Sequence, residues 1–391
     1  MSLESMAPSL PIAHGTPRRS VSGSFYPAQC VCKCITLVTP TGDILESVVI
    51  TPKTVVADFA THTHLVYVPG QLDTPLSRTL CVWDCVKDGG QLTVMLHPFQ
   101  GTQTHMCKCT EGVHILEWHP LGDCLVSGTY SGCIQLMDPS LQSFQKIDCA
   151  VYSVSPTSWH PSGKYFARGS LCEGIQIWDY SLQTSTYQNC VYFEDVMVSM
   201  AWHPSGNWLV ISVATKPARI FTFRDGIIVA SSVWCEYHIV DELYWNPSGT
   251  QLATTVGVAI QIWHFAAGVF TKSTMLKSHQ CEIDSICWHP THNWLASGAS
   301  DAIFIWDVST GTISRALHNH ICEVNTLSWH SSGNWLASGS EDTTICIWDT
   351  VTWKCLRVLS GHTQGVNVVQ WHPYKTQLVS GADDGTIRIW T

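Results

Sequence analysis

Apolar and polar residues alternate in short runs along this chain, and the same arrangement returns every 41 to 43 residues. In the period 320–359, Val324, Leu327 and Trp329 lie in one β-rich run, and a second run at 335–338 follows a turn. The alternating run 344–348 and the run 354–359 complete the period. Alternation of period two is typical of half-buried strands, so each period predicts four short antiparallel strands.

Two markers keep these periods in phase. The first is Trp-His-Pro or a close variant, which begins at Trp118, Trp159, Trp202, Trp245, Trp288, Trp329 and Trp371. The second ends the third run of each period, often as Trp-Asp, at Met137, Trp178, Thr222, Trp263, Trp306, Trp348 and Trp390. A repeat of this length predicts units that each bury their apolar faces against the next. Four strands per unit predict an all-β propeller built from blades.

The unit resembles the WD-repeat family in its His, Leu-Ala-Ser-Gly-Ser, Asp and closing Trp-Asp pattern, over residues 44–391. The resemblance implies a WD-repeat β-propeller in which a buried His, Ser or Thr, Asp and Trp hydrogen-bond one another inside each regular blade. The three final periods carry these structural tetrads: His279, Ser297, Asp301 and Trp306; His320, Ser338, Asp342 and Trp348; His362, Ser380, Asp384 and Trp390. Earlier periods lack the His, so packing is expected to stabilise those blades.

The N-terminal hundred residues decide the number of blades. Seven regular periods lie between residues 113 and 391. Residues 80–84 resemble one more blade ending, with two apolar runs before it, and residues 87–96 resemble an outer strand. We therefore expect eight blades. In the seven-bladed alternative, residues 1–85 form an extension.

The same count gives the domain organisation. A single propeller is expected over residues 30–391, with an inserted loop near 97–111. Residues 1–29 are rich in Ser and Pro, which predicts a flexible or partner-ordered tail. Because the chain stops after a third strand, an N-terminal strand, 44–50 or 32–38, is expected to close the ring and cover the exposed edge.

Composition narrows the class of partner. Charged residues make up 13% of the chain, against roughly 25% in an average soluble protein. This shortage favours a surface partly covered by other proteins in an assembly, although uncharged polar residues are an alternative explanation. The net charge of -10, with no basic run longer than Arg18-Arg19, makes direct nucleic-acid binding a poor hypothesis. Without an 18-residue apolar stretch or a secretory signal, we expect no membrane span and an intracellular, cytoplasmic or nuclear location.

Catalysis is not expected from the motifs of this sequence. It has no Gly-x-Ser-x-Gly elbow, phosphate loop or His-Glu-x-x-His motif, and no cofactor is assigned. Six histidines recur with the period in the Trp-His turns, which favours a role in the turn over a role as ligands.

The spacing of some cysteines suggests a possible metal site. Most of the 18 cysteines, such as Cys287, Cys346 and Cys355, lie in apolar runs and are expected to be reduced and buried. Alternate residues of a strand point the same way, so a C-x-C pair suits one zinc ion. That spacing occurs at Cys30, Cys32 and Cys34, and again at Cys107 and Cys109 beside His105. The C-x₂-C spacing of strong zinc signatures is missing, so metal binding stays open and no metal site is assigned.

The resemblance also implies where partners bind. In WD-repeat rings that bind peptides, residues around the first strand of each blade, and the residue before the buried Asp, line a rim of the central channel. Carried over, the partner-binding rim consists of Asp241, Glu282, Asp284, Glu323, Asn325, Glu341, Gln364, Asn367 and Asp383, with Ser300 beside them. Gln364 stands in for the aligned Gly365, and comparable earlier positions are Ser153, Ser155, Val196 and Val198. Converging carboxylates on one side favour a basic segment of a partner protein, and the alternative is a solvated rim without a partner.

The expected function is a non-catalytic protein-interaction scaffold or adaptor subunit of a larger intracellular complex. One alternative is an RNA-binding or ribonucleoprotein-binding propeller, which needs a basic, aromatic face that the sequence does not display. Another is a substrate receptor of a ubiquitin ligase, which would share the fold. The fold alone does not name the partner.

Overall fold

The structure is a computed structural model. It describes residues 99–142, 144–147, 156–170, 174–180, 187–191, 196–235 and 240–391, together with four strands between residues 33 and 96. The expected tail at 1–29 lies outside the described residues.

The first four strands form a sheet of their own. They are β1 (Lys33–Val38), β2 (Ile44–Ile50), β3 (Val66–Tyr67) and β4 (Leu92–Leu96). Their order across the sheet is β2-β1-β4-β3, and β1 and β4 run parallel. A propeller blade is an antiparallel meander, so this sheet is not a blade.

Seven further four-stranded antiparallel sheets are the blades. The strand β5 (Gln103–Lys108) comes first in the chain. Blade 1 contains β6 (Val113–Trp118), β7 (Leu125–Thr129), β8 (Ile134–Met137) and β9 (Phe144–Ile147). Blade 2 contains β10 (Thr157–Trp159), β11 (Tyr165–Ser170), β12 (Gly174–Asp179) and β13 (Tyr187–Val191). Blade 3 contains β14 (Met197–Trp202), β15 (Trp208–Val213), β16 (Ala218–Arg224) and β17 (Ile227–Cys235). Blade 4 contains β18 (Leu243–Trp245), β19 (Gln251–Val256), β20 (Ala259–Ala266) and β21 (Val269–Lys277).

The last three blades follow the same order. Blade 5 contains β22 (Ser285–Trp288), β23 (Trp294–Ala299), β24 (Ala302–Asp307) and β25 (Thr312–His318). Blade 6 contains β26 (Val324–Trp329), β27 (Trp335–Ser340), β28 (Ile345–Asp349) and β29 (Lys354–Leu359). Blade 7 contains β30 (Val366–Trp371), β31 (Leu378–Ala382), β32 (Thr386–Trp390) and, as its outer strand, β5.

The expectation of eight blades is therefore wrong, because the ring closes with seven. The first strand of each blade contacts the first strand of the next, and β30 of blade 7 contacts β6 of blade 1. Apolar clusters fill the spaces between blades. At the closing junction, Val379 and Ile387 of blade 7 pack with Val113 and Leu116 of blade 1.

The closing strand also differs from the expectation. The expected inserted loop near 97–111 is not a loop over its described residues, 99–111, since β5 pairs antiparallel with β32 and completes blade 7. Thr102 and Thr391 exchange two backbone hydrogen bonds of 3.0 Å, and Phe99 is fully buried against Trp371. Neither candidate segment supplies this strand, because β1 pairs with β2 in the separate sheet. The last edge is covered, but by a strand that directly precedes blade 1.

Histidines of the Trp-His turns connect the blades on one face of the ring. In five turns, the imidazole Nε2 atom lies 2.9 to 3.2 Å from the carbonyl oxygen of a glycine in the next turn. The pairs are His119 with Gly163, His160 with Gly206, His203 with Gly249, His289 with Gly333, and His372 with Gly122. Gly122 has a φ of 72°, and a side chain there would clash with His372. These histidines therefore act as turn residues that join neighbouring blades.

Tryptophans of the same motif make a second set of links between blades. In blades 3 to 6, the indole N–H of this Trp donates a hydrogen bond of 2.9 to 3.3 Å to a backbone carbonyl of the preceding blade. The carbonyl belongs to the residue that stands directly before the Trp of that preceding blade. In blades 1, 2 and 7, the backbone N–H of the Trp donates instead to the side-chain oxygen of that residue, which is Gln370, Glu117 or Ser328. In those three blades, the indole nitrogen is buried without a partner among the described residues. The residue before each Trp thus decides which group of the next blade is paired.

Candidate functional site

The predicted tetrads of blades 6 and 7 come together as connected hydrogen-bond networks. In blade 6, the Nδ1 atom of His320 lies 2.8 Å from Asp342, and its Nε2 atom lies 2.8 Å from the Ser338 hydroxyl. The indole of Trp348 donates to the same hydroxyl at 2.8 Å. The Thr344 hydroxyl also donates to Asp342 at 2.6 Å. These contacts join the hairpin of β27 and β28 to the loop that enters β26.

Blade 7 repeats the arrangement. His362 lies 3.1 Å from Asp384 and 2.7 Å from Ser380, and Trp390 donates to Ser380 at 2.8 Å. Thr386 takes the place of Thr344 and donates to Asp384 at 2.6 Å. This threonine was not among the predicted tetrad residues, although it stands two residues after the Asp in both blades.

Only three of the four predicted residues come together in blade 5. His279 lies 2.6 Å from Ser297, and Trp306 donates to Ser297 at 2.8 Å. Asp301 is exposed and does not hydrogen-bond His279. Nine residues separate Ser and Trp here, against ten in blades 6 and 7, and Ala299 pairs directly with Ala302. The missing residue makes a two-residue hairpin, which carries Asp301 at its tip, away from the His.

The pKa values reflect this difference. Burial lowers the pKa of His279 to about 4. Burial also lowers the pKa of His362, but the neighbouring Asp384 opposes that shift. Burial acts to raise the pKa of Asp384, yet hydrogen bonds from Thr386 and Thr363 and the nearby His362 bring it to about 2. The carboxylate in blade 7 is therefore stabilised in its charged form by its own network.

The predicted rim residues lie in the loops that enter the first strands, and two of the acids are already engaged. The Asn325 amide donates to Glu341 at 2.7 Å and to the Val366 carbonyl of the next blade at 3.2 Å. In the same way, Asn367 donates to Asp383 at 2.7 Å and to the Val113 carbonyl at 3.2 Å. Asp383 also lies 3.4 Å from His114. These two Asn–acid pairs link blades 6, 7 and 1.

Four other acids form what we call the carboxylate cluster: Asp241, Glu282, Asp284 and Glu323. They come from blades 4, 5 and 6, and Glu282, Asp284 and Glu323 are exposed. Burial and the charges of Glu323 and Glu282 raise the pKa of Asp284 to about 6. Burial and the charge of Glu282 also raise the pKa of Asp241. None of the four forms an ion pair with a residue that the structure describes. The cluster is thus a site of mutual repulsion that a cationic group would relieve.

Glu242 lies behind the cluster on the way into β18. Burial, followed by the charges of Asp241 and Asp284, raises its pKa to about 8. The prediction of the rim did not include Glu242, because its position inside the entering loop does not match the family's rim positions. With this pKa the Glu242 carboxyl group is mostly protonated at neutral pH, so it adds little negative charge to the cluster.

The remaining rim positions are uncharged or exposed. Val196 is exposed and Val198 is half-buried, while Ser153 and Ser155 lie outside the described residues. Ser300 is half-buried, and Gln364 is exposed. A side chain at Gly365 would clash with the carboxylate of Glu341. Within the described residues, the negative charge of the rim is therefore concentrated on blades 4 to 6.

Cysteine side chains divide between the interior and the surface. Cys287 and Cys346 are buried, Cys355, Cys107 and Cys109 are half-buried, and all are free thiols. Cys30 and Cys32 lie outside the described residues, and the structure describes only the backbone of Cys34. Among the described residues, no group of three or more His, Cys, Asp or Glu side chains is arranged to hold a metal ion.

Comparison with known families agrees with the most regular part of the ring. The model of the family described as "WD domain, G-beta repeat" matches residues 270–307, 311–349 and 353–391. Each match covers an outer strand and the first three strands of the next blade, from blade 5 to blade 7. No curated protein matches the chain. In the part of the chain that the structure describes, no helix has the length and apolar character needed to cross a membrane.

Proposed function

This chain belongs to the WD-repeat β-propeller family, and we propose that it acts as a non-catalytic adaptor subunit in a larger intracellular complex. The fold generally serves as a scaffold for protein interactions. In this chain, the surface proposed to bind a partner is the carboxylate cluster of Asp241, Glu282, Asp284 and Glu323, and the proposed ligand is a basic segment of another protein.

The gathering of these four acids from blades 4 to 6, none of them ion-paired with a described residue, carries this proposal. Partial burial, followed by the charges of Glu323 and Glu282, raises the pKa of Asp284 to about 6, as expected for a carboxyl without a compensating cation. A Lys or Arg side chain placed there would relieve the repulsion and form charge-assisted hydrogen bonds. The Asn-bound acids Glu341 and Asp383 differ, because neutral amide donors already satisfy one oxygen of each.

The contrast between these two groups of acids gives the test. A fluorescently labelled peptide of alternating Ser and Arg would be titrated with the intact protein at low salt, and binding measured by fluorescence anisotropy. We expect Asp284→Asn with Glu323→Gln to weaken binding by about tenfold, the size expected for loss of a charge-assisted contact. Binding should also weaken as salt is added, since the charges are exposed.

The matched control is Glu341→Gln with Asp383→Asn, which removes the same number of charges from the Asn-bound acids. We expect this control to change the affinity by less than about twofold. If both double variants lose the same affinity, the effect depends only on net charge, and the assignment to the carboxylate cluster is overturned. Equal affinity of the first double variant and the parent protein would reject the rim as the binding surface.

A further inference from the structure

Five junctions of the ring carry the histidine and glycine pairing, and the junction between blades 6 and 7 keeps the histidine, His330, but has Lys375 in place of the glycine. The junction between blades 4 and 5 departs furthest. Between blades 4 and 5, Asn246 stands where the other turns have His, and His292 stands where the next turn has Gly. Both halves of the regular contact are therefore replaced at the same junction.

Neither replacement restores the link between the blades. Asn246 turns back to its own hairpin, where its amide donates to Thr250 at 3.2 Å and its oxygen accepts from the Gln251 N–H at 3.0 Å. The ring of His292 stacks on Trp294 of its own blade, with centroids 4.7 Å apart and planes at 16°. A cavity of about 470 Å³ is left between the two turns.

Most of the side chains that line the cavity can form hydrogen bonds. Three imidazoles, His264, His289 and His292, face it together with hydroxyls and amides, and no Asp, Glu, Lys or Arg lines it. Because no carboxylate is present to repel an anion, the site is electrostatically open to one.

The three imidazoles are not equivalent. His289 is committed to the fold, because its Nε2 atom lies 3.2 Å from the Gly333 carbonyl and its Nδ1 atom accepts the backbone N–H groups of Thr291 and His292. His264 and His292 are both exposed, and the Nε2 atom of neither forms a hydrogen bond with a described residue. They come from different blades and both line the cavity, so two ring nitrogens are available to a ligand.

We infer that this cavity binds a carboxylate side chain from an acidic segment of a partner protein. Imidazole N–H groups of His264 and His292 would donate to the two carboxylate oxygens, and the hydroxyls of Ser248 and Thr291 complete the polar lining. The site is separate from the proposed basic-peptide surface. Asp241 and Asp284 precede β18 and β22, whereas Asn246 and His289 follow them, so the two sites lie at opposite ends of the same strands. The ring would thereby hold segments of opposite charge on its two faces.

Rebuilding the regular junction tests the inference. The probe is the peptide Ser-Asp-Glu-Asp-Ser, acetylated and amidated at its ends, titrated into the intact protein by isothermal titration calorimetry at low salt. Asn246→His with His292→Gly recreates the pair found at five other junctions and should fill the cavity. We expect this variant to bind the peptide at least about tenfold more weakly than the parent. His264→Gln, which changes one exposed side chain, should weaken binding in the same direction.

The control is His318→Gln, because His318 is an exposed histidine of blade 5 that does not line the cavity. It should bind like the parent. The inference is overturned if the parent does not bind the capped peptide, or if His264→Gln binds as tightly as His318→Gln. Binding only of a neutral peptide with a free C-terminal carboxylate would also overturn it, since the ligand would then be a chain end. If the double variant does not fold, the comparison of His264→Gln with His318→Gln decides the outcome.

Discussion

The imidazole of His372 lies 3.1 Å from the carbonyl oxygen of Gly122, although 250 positions of the chain separate them. The contact joins blade 7 to blade 1 and repeats the pairing seen at four other junctions. The ring is therefore closed on this face by the same chemistry that joins its neighbouring blades.

Substitution of Gly122 should show how much this closure contributes. Gly122→Ala places a side chain at positive φ and against the ring of His372. Gly257→Ala is the matched control, because Gly257 also has positive φ but open space around it. We expect the control to lower the free energy of unfolding by about 1 kcal/mol and Gly122→Ala to lower it by about 1 to 3 kcal/mol more. Urea unfolding measures both, and equal losses would mean that the Gly122 contact contributes nothing.

The two kinds of tryptophan link predict different effects for the same substitution. Ser328→Ala removes the hydroxyl that accepts the Trp371 backbone N–H at 3.2 Å and leaves that N–H buried. Ser158 occupies the equivalent place in blade 2, but there the link uses its carbonyl, which Ser158→Ala retains. We expect a loss of about 1 to 3 kcal/mol for Ser328→Ala and a change within about 0.5 kcal/mol for Ser158→Ala. A larger loss for Ser158→Ala, by thermal or urea unfolding, would contradict this account of the links.

Aspartates at the same repeat position should differ in their contribution to stability. Asp342 accepts hydrogen bonds from Thr344 and the Ile321 N–H and contacts His320, whereas Asp301 is exposed. Asp342→Ala should lower the free energy of unfolding by about 2 to 3 kcal/mol, because it removes the partner of the buried His320 and the acceptor of the Thr344 and Ile321 hydrogen bonds. Asp301→Ala should stay within about 0.5 kcal/mol of the parent. Similar losses for the two variants would show that Asp301 also belongs to a network in solution.

Glu242 should make stability depend on pH in a definite direction. Its folded pKa of about 8 exceeds the ordinary value of 4.5 expected in the unfolded chain. Unfolding therefore releases a proton between these values, so its stabilising contribution is complete below pH 4.5 and is lost as the pH rises through 8. The slope for one such group is at most about 1.4 kcal/mol per pH unit. Urea unfolding measures the free energy of unfolding of both proteins. The value for Glu242→Gln minus that for the parent should be larger at pH 9 than at pH 5. Glu341→Gln serves as the control. A parent and a Glu242→Gln variant with parallel pH profiles would contradict the shift.

The repeat itself could be predicted because its apolar positions are buried. In blade 6, the alternating run around Ile345 and Ile347 and the turn at Gly333 give a local signal, and the structure places strands and a turn there. The outer strand β5 gave no such signal. Its side chains are mostly exposed and its partner β32 lies almost 300 positions away, so neither alternation nor proximity in sequence identifies it.

The candidate site shows the same limit at the level of single residues. The contacts of His320 and His362 follow from a fixed spacing, so the repeat pattern places them correctly beside Ser338 and Ser380. The prediction for Asp301 is wrong because its hairpin is one residue shorter than those of blades 6 and 7. The sequence does contain this signal, since the Trp stands nine positions after the Ser in blade 5 and ten positions after it in the other two blades. The hydrogen bond from Asn325 to Glu341 depends on the conformations of the two side chains, which cannot be predicted from the repeat pattern.

The central claim is that the carboxylate cluster of blades 4 to 6 binds a basic partner segment. Hydrogen–deuterium exchange of the intact protein, with and without the Ser-Arg peptide, tests it most directly. We expect slower exchange in the loops that carry Asp241, Glu282, Asp284 and Glu323, and little change in the Trp-His turns at the other ends of those strands. Protection confined to the Trp-His turns, or no protection at saturating peptide, would contradict the claim.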